Sequence, residues 1–279
     1  MSEVRAWGEG HEGLTNAVDH LDEIVRLEQA LVDSLEFPEV SRRDVHVHLG
    51  TDADGHGLTP DDLIVDLDRW GIASAVCFPA NEPGADGSFR EANRAALDAA
   101  ARWPQRITPF CRVDPRGEWE GAFEEAVIGG ARGLKLHPVA QSFHPESDAC
   151  IAAVSAATEW DIPVLLHAGF GARRLAEPLV ALAKAVPGAR LILAHGGRGD
   201  ARALRDAFTG NHRVAFDTSL AHLPDLVALP PEQVMFGSDR PYGEHGTALH
   251  LVSKAAEVAK WSEDQLAGVL GGNIDRWLA

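Results

Sequence analysis

The hydrophobic pattern of the chain changes near residue 40. Beyond that point, short apolar runs such as AVCF, PVLL and LILA alternate with longer segments in which apolar positions recur at helical spacing. Uninterrupted apolar runs are typical of parallel strands that are covered on both faces. The alternation therefore predicts an α/β fold in which helices pack against a parallel sheet.

Eight strands follow from this pattern, and helical segments lie between them. The strands are predicted at residues 43–49, 73–79, 107–113, 133–138, 163–168, 191–195, 213–217 and 233–238. The intervening helices are predicted at residues 61–70, 89–103, 119–128, 145–160, 174–186, 200–208 and 223–229. Further helical runs near residues 245–260, 263–270 and 273–278 follow the last strand. This order fits either a barrel or a doubly wound sheet.

Polar residues at the strand ends favour the barrel. Nearly every predicted strand ends at or near a side chain that could bind a metal ion, transfer a proton or bind a polar substrate. These residues are His46, His48, Asn81, Arg112, Asp114, His137, His167, His195, Asp217 and Asp239. A doubly wound sheet would carry its site only at the switch point, whereas a barrel brings all strand ends to one rim. We predict a (β/α)8 TIM barrel over residues 41–279, a length close to the roughly 250 residues that this fold needs.

Residues 1–40 are predicted to form a helical extension ahead of the barrel. Apolar side chains gather on one face of the helix, namely Leu14, Val18, Leu21, Ile24, Val25, Leu31, Val32 and Leu35. Glu28 interrupts that face. We expect the helix to dock on the main body; a short coiled-coil seam that makes a homo-oligomer is the alternative.

Charge and hydropathy narrow the choice of partners. Acidic residues outnumber basic ones by 42 to 25, which gives a net charge of −17. This excess argues against nucleic acid or an anionic membrane surface as the partner. We see no apolar run of about 18 residues and no signal-peptide core. We therefore expect a cytoplasmic protein that acts on a small molecule.

His46 and His48 begin the series of residues that points to metal chemistry. They lie two apart in DVHVHLG, so a strand would place both imidazoles on the same face, toward the barrel interior. Two imidazoles on one side suit zinc or a similar divalent ion. His167, His195 and Asp239 each end a later apolar run, and buried polar groups of this kind are costly unless something binds them. A shared metal ion would account for all five.

The motifs in this order are similar to those of a known family. The series DVHVHLG, GLKLHP, PVLLHAG, LILAHGG and FGSDRPYG resembles the amidohydrolase superfamily, and in particular its amidohydrolase-related (amidohydrolase 2) group. The resemblance covers residues 43–279, including the closing GGNIDRWL. That group includes hydrolases, lactonases and non-oxidative decarboxylases such as aminocarboxymuconate-semialdehyde decarboxylase. The resemblance implies a metal-dependent enzyme on a TIM barrel.

The resemblance also implies roles for individual residues. It implies that His46, His48, His167 and Asp239 ligate the metal, and that His195 is either a catalytic base beside it or a ligand of a second ion. Members of the amidohydrolase 2 group resemble single-metal enzymes, so we expect one ion and leave a two-ion site open. We expect zinc first, with manganese, iron or cobalt as alternatives, because His and Asp ligands suit all of them.

Four basic residues are candidates for binding the substrate. Lys135 stands where other branches of the superfamily place a carboxylated lysine that bridges two ions, but we favour a role as the partner of a substrate carboxylate. Arg112, Arg240 and His137 would also hold an anionic substrate, since the planar fork of arginine binds both oxygens of a carboxylate.

The leading hypothesis is hydrolysis of an amide, ester or lactone bond in a small anionic substrate. A divalent ion lowers the pKa of bound water to about 7. Asp239 would accept the proton of that water and pass it to the leaving group, while the metal or His195 polarises the carbonyl. The closest alternative is non-oxidative decarboxylation of an unsaturated or aromatic acid. A metal-free lactonase ranks behind both. A barrel that has lost its catalytic activity and only binds a small molecule ranks last, because the residues expected to ligate the metal are all present.

Two further residues lie outside this series. Asp217 ends the seventh predicted strand, where it either orients a ligand histidine or caps a helix. His245 lies where a predicted rim loop meets the helical run near residues 245–260, and we expect it at the surface.

Overall fold

The predicted apolar runs form a parallel barrel in the computed structural model, which describes residues 23–27, 29–35, 37–81, 88–171 and 175–279. Its strands are β1 (Arg42–Thr51), β2 (Gly57–Leu58), β3 (Ile72–Pro79), β4 (Ile107–Pro109), β5 (Cys111–Arg112), β6 (Leu134–Leu136), β7 (Val164–Leu166), β8 (Leu191–Leu193), β9 (Val214–Asp217) and β10 (Val234–Met235).

Eight parallel positions follow one another around the barrel. The order runs β1-β3-β4 in one sheet and β5-β6-β7-β8-β9-β10 in the other. Phe110 alone separates β4 from β5, so these two short strands are one barrel position. The N–H of Phe110 bonds the carbonyl of Cys77 at 2.8 Å, and the N–H of Cys111 bonds that of Gly133 at 2.8 Å, which carries the pairing across the junction.

The barrel closes between its first and last strands. The N–H of Val45 donates to the carbonyl of Phe236 at 2.9 Å, and the N–H of His48 donates to that of Arg240 at 2.8 Å. The predicted (β/α)8 architecture is confirmed. Five strands end earlier than predicted, at Arg112, Leu136, Leu166, Leu193 and Met235. As a result, His137 and His167 lie in the loops just beyond β6 and β7, and His195 lies in the turn just beyond β8.

Helices lie between the strands, as the 3.6-residue periodicity predicts. They are α1 (Pro60–Arg69), α2 (Arg90–Arg102), α3 (Glu120–Ile128), α4 (Asp148–Glu159), α5 (Ala176–Ala185), α6 (Ala201–Phe208), α7 (Leu223–Ala228), α8 (His245–Ala259), α9 (Glu263–Ala267) and α10 (Asn273–Leu278). Hydroxyl caps begin several of them: Thr59 accepts the N–H of Asp62 ahead of α1, and Ser262 forms a capping box with Gln265 ahead of α9.

The core of the barrel determines which end is free for chemistry. Inward residues of the strands form one buried cluster, and Trp277 and Leu278 of α10 pack against it. Arg190, which directly precedes β8, donates to the carbonyl of Trp277 at 2.7 Å. Helix α10 therefore covers the end of the barrel at which the strands begin, and the carboxyl ends of the strands face the opposite rim.

One strand has no counterpart in the sequence prediction. β2 pairs antiparallel with the end of β1, with Gly50 opposite Leu58 and Thr51 opposite Gly57. A two-residue strand is too short for alternation to reveal it. The resulting hairpin extends beyond the barrel rim beside α1.

Two units divide the chain, one up to residue 36 and one from Phe37 to Ala279. In the first, residues 23–27 and 29–33 are helical. Leu14, Val18 and Leu21 lie outside the described residues, so the docking helix, the coiled-coil alternative and the boundary at residue 40 stay predictions. Within the described part of the chain, no helix combines the length and apolarity needed to span a membrane.

Candidate active site

His46 and His48 lie on the same inward face of β1, as their two-residue spacing predicts. Both are buried, and their ring centroids are 5.3 Å apart. Asp239 reaches them from the loop after β10: its Oδ1 lies 3.1 Å from Nε2 of His46 and 3.1 Å from Nε2 of His48. These three ligand atoms lie within 4.8 Å of one another. The first and last strands of the barrel thus bring together a buried His-His-Asp group.

The donor chemistry of this group fits a divalent ion. Two imidazole nitrogens and one carboxylate oxygen are the ligands of many catalytic zinc sites, which leave a fourth position open. The Asp217 carboxylate lies 2.7 Å from Nδ1 of His46 and can only accept, so that nitrogen carries a proton and Nε2 faces Asp239. Burial acts to lower the pKa of His46, but Asp239 and Asp217 outweigh it and raise that pKa. A cation bound at Nε2 would displace a proton there.

Asp239 has a strained backbone. Its φ is +66°, in the left-handed region, which costs a non-glycine residue about 1–2 kcal/mol. Its N–H donates to the carbonyl of His46 at 2.9 Å, which ties the strained residue to β1. His195, in the turn after β8, has a φ of +60°. Strain of this kind tends to occur at functional sites, because the surrounding structure must hold it.

Asp217 orients His46, so the structure selects the first of its two predicted roles. Its Oδ1 also accepts the N–H of His195 at 2.9 Å and the N–H of Ser219 at 3.0 Å. Burial would raise the pKa of Asp217, but His46 and the other donors lower it to about 2. This carboxylate is therefore ionised at neutral pH and fixes both the His46 ring and the turn that carries His195.

His195 and His167 lie against each other, with Nε2 of His195 3.0 Å from Nδ1 of His167. Nε2 of His167 lies 2.9 Å from the Phe170 carbonyl, and Nδ1 of His195 lies 3.0 Å from the Ser219 carbonyl. Because carbonyls only accept, these two outer nitrogens carry the protons, and the two facing nitrogens hold lone pairs. Burial lowers the pKa of His167 to about 2 and that of His195 to about 4, so both are neutral near pH 7. His167 lies beside the His-His-Asp group and not within it, and its predicted role as a ligand stays a prediction.

Lys135 and Arg112 are fully buried basic side chains on neighbouring strands. Nζ of Lys135 lies 3.1 Å from Nε2 of His46, and burial lowers the pKa of the lysine to about 7. Arg112 donates from Nη1 to the carbonyl of Pro79 at 3.2 Å. Its Nε and Nη2 have no hydrogen-bond partner among the described residues. Burial lowers the pKa of Arg112 to about 10, so it remains charged at neutral pH.

His137 and Arg240 have different surroundings. His137 stacks on His167 with ring centroids 3.9 Å apart, and its Nδ1 accepts the N–H of Ala140 at 3.1 Å. Its proton is therefore on Nε2. The guanidinium of Arg240 pairs instead with Asp66 at 2.5 Å and Glu244 at 2.8 Å. It is not among the described residues that line the cavity, so the geometry does not support its predicted contact with substrate.

A cavity of about 330 Å³ opens onto this group from the rim. The described residues that line it are His46, His48, Asp52, Asn81, Arg112, Lys135, His137, Ala140, His167, Phe170, His195, Leu220, Asp239 and Tyr242. The sequence did not predict the roles of Tyr242 and Asp52, whose hydroxyl and carboxylate are hydrogen-bonded at the mouth. The RPYG turn after Asp239 was a signal for Tyr242; Asp52 lies in the unpredicted hairpin.

Asp44 and His245 were also missed. The prediction that His245 lies at the surface is wrong: it is fully buried, and its Nε2 lies 3.0 Å from Oδ2 of the equally buried Asp44. His245 is the first residue of α8, which packs against Trp70 so closely that the helix start is inside the protein. A register shift in the pairing of β1 with β3 lies between Asp44 and Val47, so the two-residue spacing of His46 and His48 does not reveal the contacts of Asp44.

Solved structures show the same fold. The chain is similar to 5-carboxyvanillate decarboxylase from Sphingomonas paucimobilis, with 15% identity, a TM-score of 0.65, and 86% of this chain and 99% of that chain covered. It is similar to the probable 2-pyrone-4,6-dicarboxylic acid hydrolase from Acinetobacter baumannii with citric acid bound, with 15% identity, a TM-score of 0.62, and 86% and 99% covered. It is also similar to 2,6-dihydroxybenzoate decarboxylase from Rhizobium, with 14% identity, a TM-score of 0.63, and 86% and 98% covered.

Family membership rests on the sequence match. Among curated proteins, none matches the chain. The family model described as amidohydrolase matches residues 44–279, which include the whole barrel except the first two residues of β1, and also the His-His-Asp group. This chain therefore belongs to the amidohydrolase family, whose members are metal-dependent hydrolases or decarboxylases acting on small molecules.

Proposed function

We propose that this enzyme hydrolyses a lactone, ester or amide bond in a small substrate that carries a carboxylate. The observation that carries the proposal is Arg112, a fully buried cation on the wall of the cavity with two donor nitrogens, Nε and Nη2, that have no partner among the described residues. An unpaired buried donor costs about 1–3 kcal/mol, and more for a charged group. A substrate carboxylate would satisfy both donors in the bidentate geometry that arginine favours.

Arg112 and Asp239 lie at different positions around the barrel. Arg112 is on β5, part of the third position, whereas Asp239 follows β10, the eighth. A carboxylate bound at Arg112 is therefore an anchor, and the reacting bond lies toward Asp239. Lys135, between Arg112 and His46, would donate from Nζ to a substrate oxygen.

His46, His48 and Asp239 would hold one divalent ion, with His167 beside them. We propose zinc first, with manganese, iron or cobalt as alternatives. When bound, the ion would supply a water of pKa about 7.

Asp239 and His195 would move the protons. Burial acts to raise the pKa of Asp239, but His46 and His48 hold it well below its ordinary range, so the carboxylate is ionised. Oδ2 of Asp239 would accept the proton of the attacking water and deliver it to the leaving atom. His195, whose Nδ1 lies 3.9 Å from that oxygen and donates to the Ser219 carbonyl, would offer Nε2 as a second acceptor. His137 would donate from Nε2 to the substrate.

A panel of substrates tests the proposal. The metal-loaded enzyme is expected to release acid from lactones or esters that carry a free carboxylate, and to act poorly on the same compounds with that carboxylate methylated. Carbon dioxide release from aromatic acids, without hydrolysis of any lactone, ester or amide in the panel, would contradict it.

Decarboxylation is the second candidate function because the cavity has flat walls. His137 and His167 stack with an interplanar angle of 13°, and the rings of Phe170 and Tyr242 also line the cavity. Flat walls suit a planar aromatic acid, and Asp239 or His195 would then deliver a proton to carbon.

Replacement of Arg112 by methionine is expected to lower kcat/KM for a carboxylate substrate by about 10²-fold, mainly through KM. The reason is that a hydrogen bond to a charged group contributes about 1.5–3 kcal/mol. The matched control is Arg106→Met, which removes a half-buried guanidinium bonded to Asp68 and to the carbonyl of Ala73, away from the cavity. An equal loss with the uncharged methyl-ester analogue would show that Arg112 does not bind the carboxylate.

A further inference from the structure

Asp44 is a fully buried carboxylate for which the proposed chemistry has no direct use. It lies two residues before His46 on β1, and four donors converge on it. Its Oδ1 accepts the N–H of His46 at 2.9 Å and the N–H of Ser238 at 3.0 Å. Its Oδ2 accepts the hydroxyl of Ser238 at 2.5 Å and Nε2 of His245 at 3.0 Å. Every one of these donors is itself buried.

These contacts join the two chain segments that carry the His-His-Asp group. His46 is one member of that group, and Ser238 directly precedes another, Asp239. The Ser238 hydroxyl also accepts the N–H of Arg240 at 3.2 Å, so its proton points to Asp44. Asp44 therefore binds Ser238, which precedes Asp239, and through the Ser238 hydroxyl it also fixes Arg240, which follows it. These contacts support the left-handed backbone of Asp239.

His245 fixes the carboxylate in turn. It is the first residue of α8, and the next residue, Gly246, lies so close to Trp70 that a Cβ there would be 2.7 Å from its ring. The start of α8 has no room to shift toward Trp70. The donor from His245 therefore holds Oδ2 of Asp44 in place, and Oδ1 is left to face β1 and Ser238.

We propose that Asp44, anchored by His245, is a positioning residue that sets the distance between His46 and Asp239 for binding one divalent ion. The inference rests on the metal site of the proposed function. Residues behind metal ligands of this kind change metal affinity by about 10–100-fold when replaced.

Titration of the metal-free protein with cobalt(II) tests this role without an assay of activity. The d–d absorption reports both the dissociation constant and the geometry of the ligands. Asp44→Asn keeps the volume but exchanges one acceptor oxygen for a donor that opposes His245. It is expected to weaken cobalt binding about 10–100-fold and to change the absorption spectrum. Ser238→Ala and His245→Ala, which each remove one donor, are expected to weaken binding about tenfold.

Asn273→Ala is the matched control for stability. Asn273 is also buried, and it donates to the carbonyls of Val234 at 2.5 Å and Pro231 at 2.8 Å, at the end of β10 away from the site. This variant is expected to lower Tm while keeping the cobalt dissociation constant within twofold of the wild-type value.

Several outcomes would overturn the inference. If the wild-type protein binds cobalt and Asp44→Asn is folded with an unchanged dissociation constant, Asp44 is not a positioning residue, while the proposed function stands. If Asp44→Asn does not fold, an unchanged constant in both Ser238→Ala and His245→Ala excludes the positioning role in the same way. Equal weakening by Asn273→Ala would assign the effect to general stability. If the wild-type protein binds no cobalt, the proposed function fails as well.

Discussion

Replacement of His48 by alanine is expected to remove the divalent ion from the enzyme and to lower kcat/KM by about 10³-fold or more. Nε2 of His48 lies 3.1 Å from Oδ1 of Asp239, so both atoms can bind the same ion. Only 5% of His48 is exposed. Burial lowers its pKa to about 3, so the ring is neutral at pH 7 and its lone pair does not compete with a proton. The loss follows because a water without the ion has a pKa far above 7.

The measurement combines metal content by mass spectrometry with kcat/KM on a substrate from the panel. His222→Ala is the matched control, since the side chain of His222 is 56% exposed beside Asp225. It should keep the ion and the activity. A folded His48→Ala protein with a full equivalent of metal and wild-type turnover would show that His48 is not a ligand.

Replacement of Asp239 by asparagine is expected to lower kcat by about 10⁴-fold while KM changes little. Asparagine keeps the shape and one oxygen for the ion, but it cannot accept a proton, and general acid–base catalysis contributes about 10²–10⁴-fold. The lost negative charge next to His46 and His48 should also weaken metal binding. Assays at saturating metal separate the two effects, because added metal restores occupancy and not proton transfer.

Asp206→Asn serves as the control, since Asp206 is an exposed partner of Arg205. Its kcat should equal that of the wild-type enzyme. A kcat for Asp239→Asn within tenfold of wild type at full metal occupancy would leave the proton acceptor to another group, with His195 the first to examine.

The sequence predicts the barrel well because its signals are local. Each strand is an apolar run, and the two-residue spacing of His46 and His48 places both on one face. The sequence identifies Asp239 because this residue follows the last apolar run and precedes turn residues. Such features need no knowledge of distant contacts.

The features that the sequence does not reveal depend on contacts between residues far apart in the chain. Arg240 is a predicted substrate-binding residue, but its guanidinium pairs with Asp66 of α1, a contact that the sequence does not reveal. His245 is expected at the surface from its loop-like sequence, but the acceptor that holds it, Asp44, lies 201 residues earlier. The periodicity of apolar and polar residues cannot predict a contact between residues so far apart in the chain.

His167 shows the same limit at closer range. Its place after β7 follows from the apolar run, but the orientation of its ring depends on the Phe170 carbonyl and on His195. The sequence therefore predicts which residues meet at the rim more reliably than which atom each one presents.

Hydrolysis by a metal-activated water is tested most directly by turnover in water enriched in oxygen-18. The metal-loaded enzyme should place one heavy oxygen in the carboxylate newly formed from a lactone or ester, and removal of the metal should abolish this incorporation. Loss of a substrate carboxylate as carbon dioxide, with no heavy oxygen in the remaining product, would contradict hydrolysis and identify a decarboxylase.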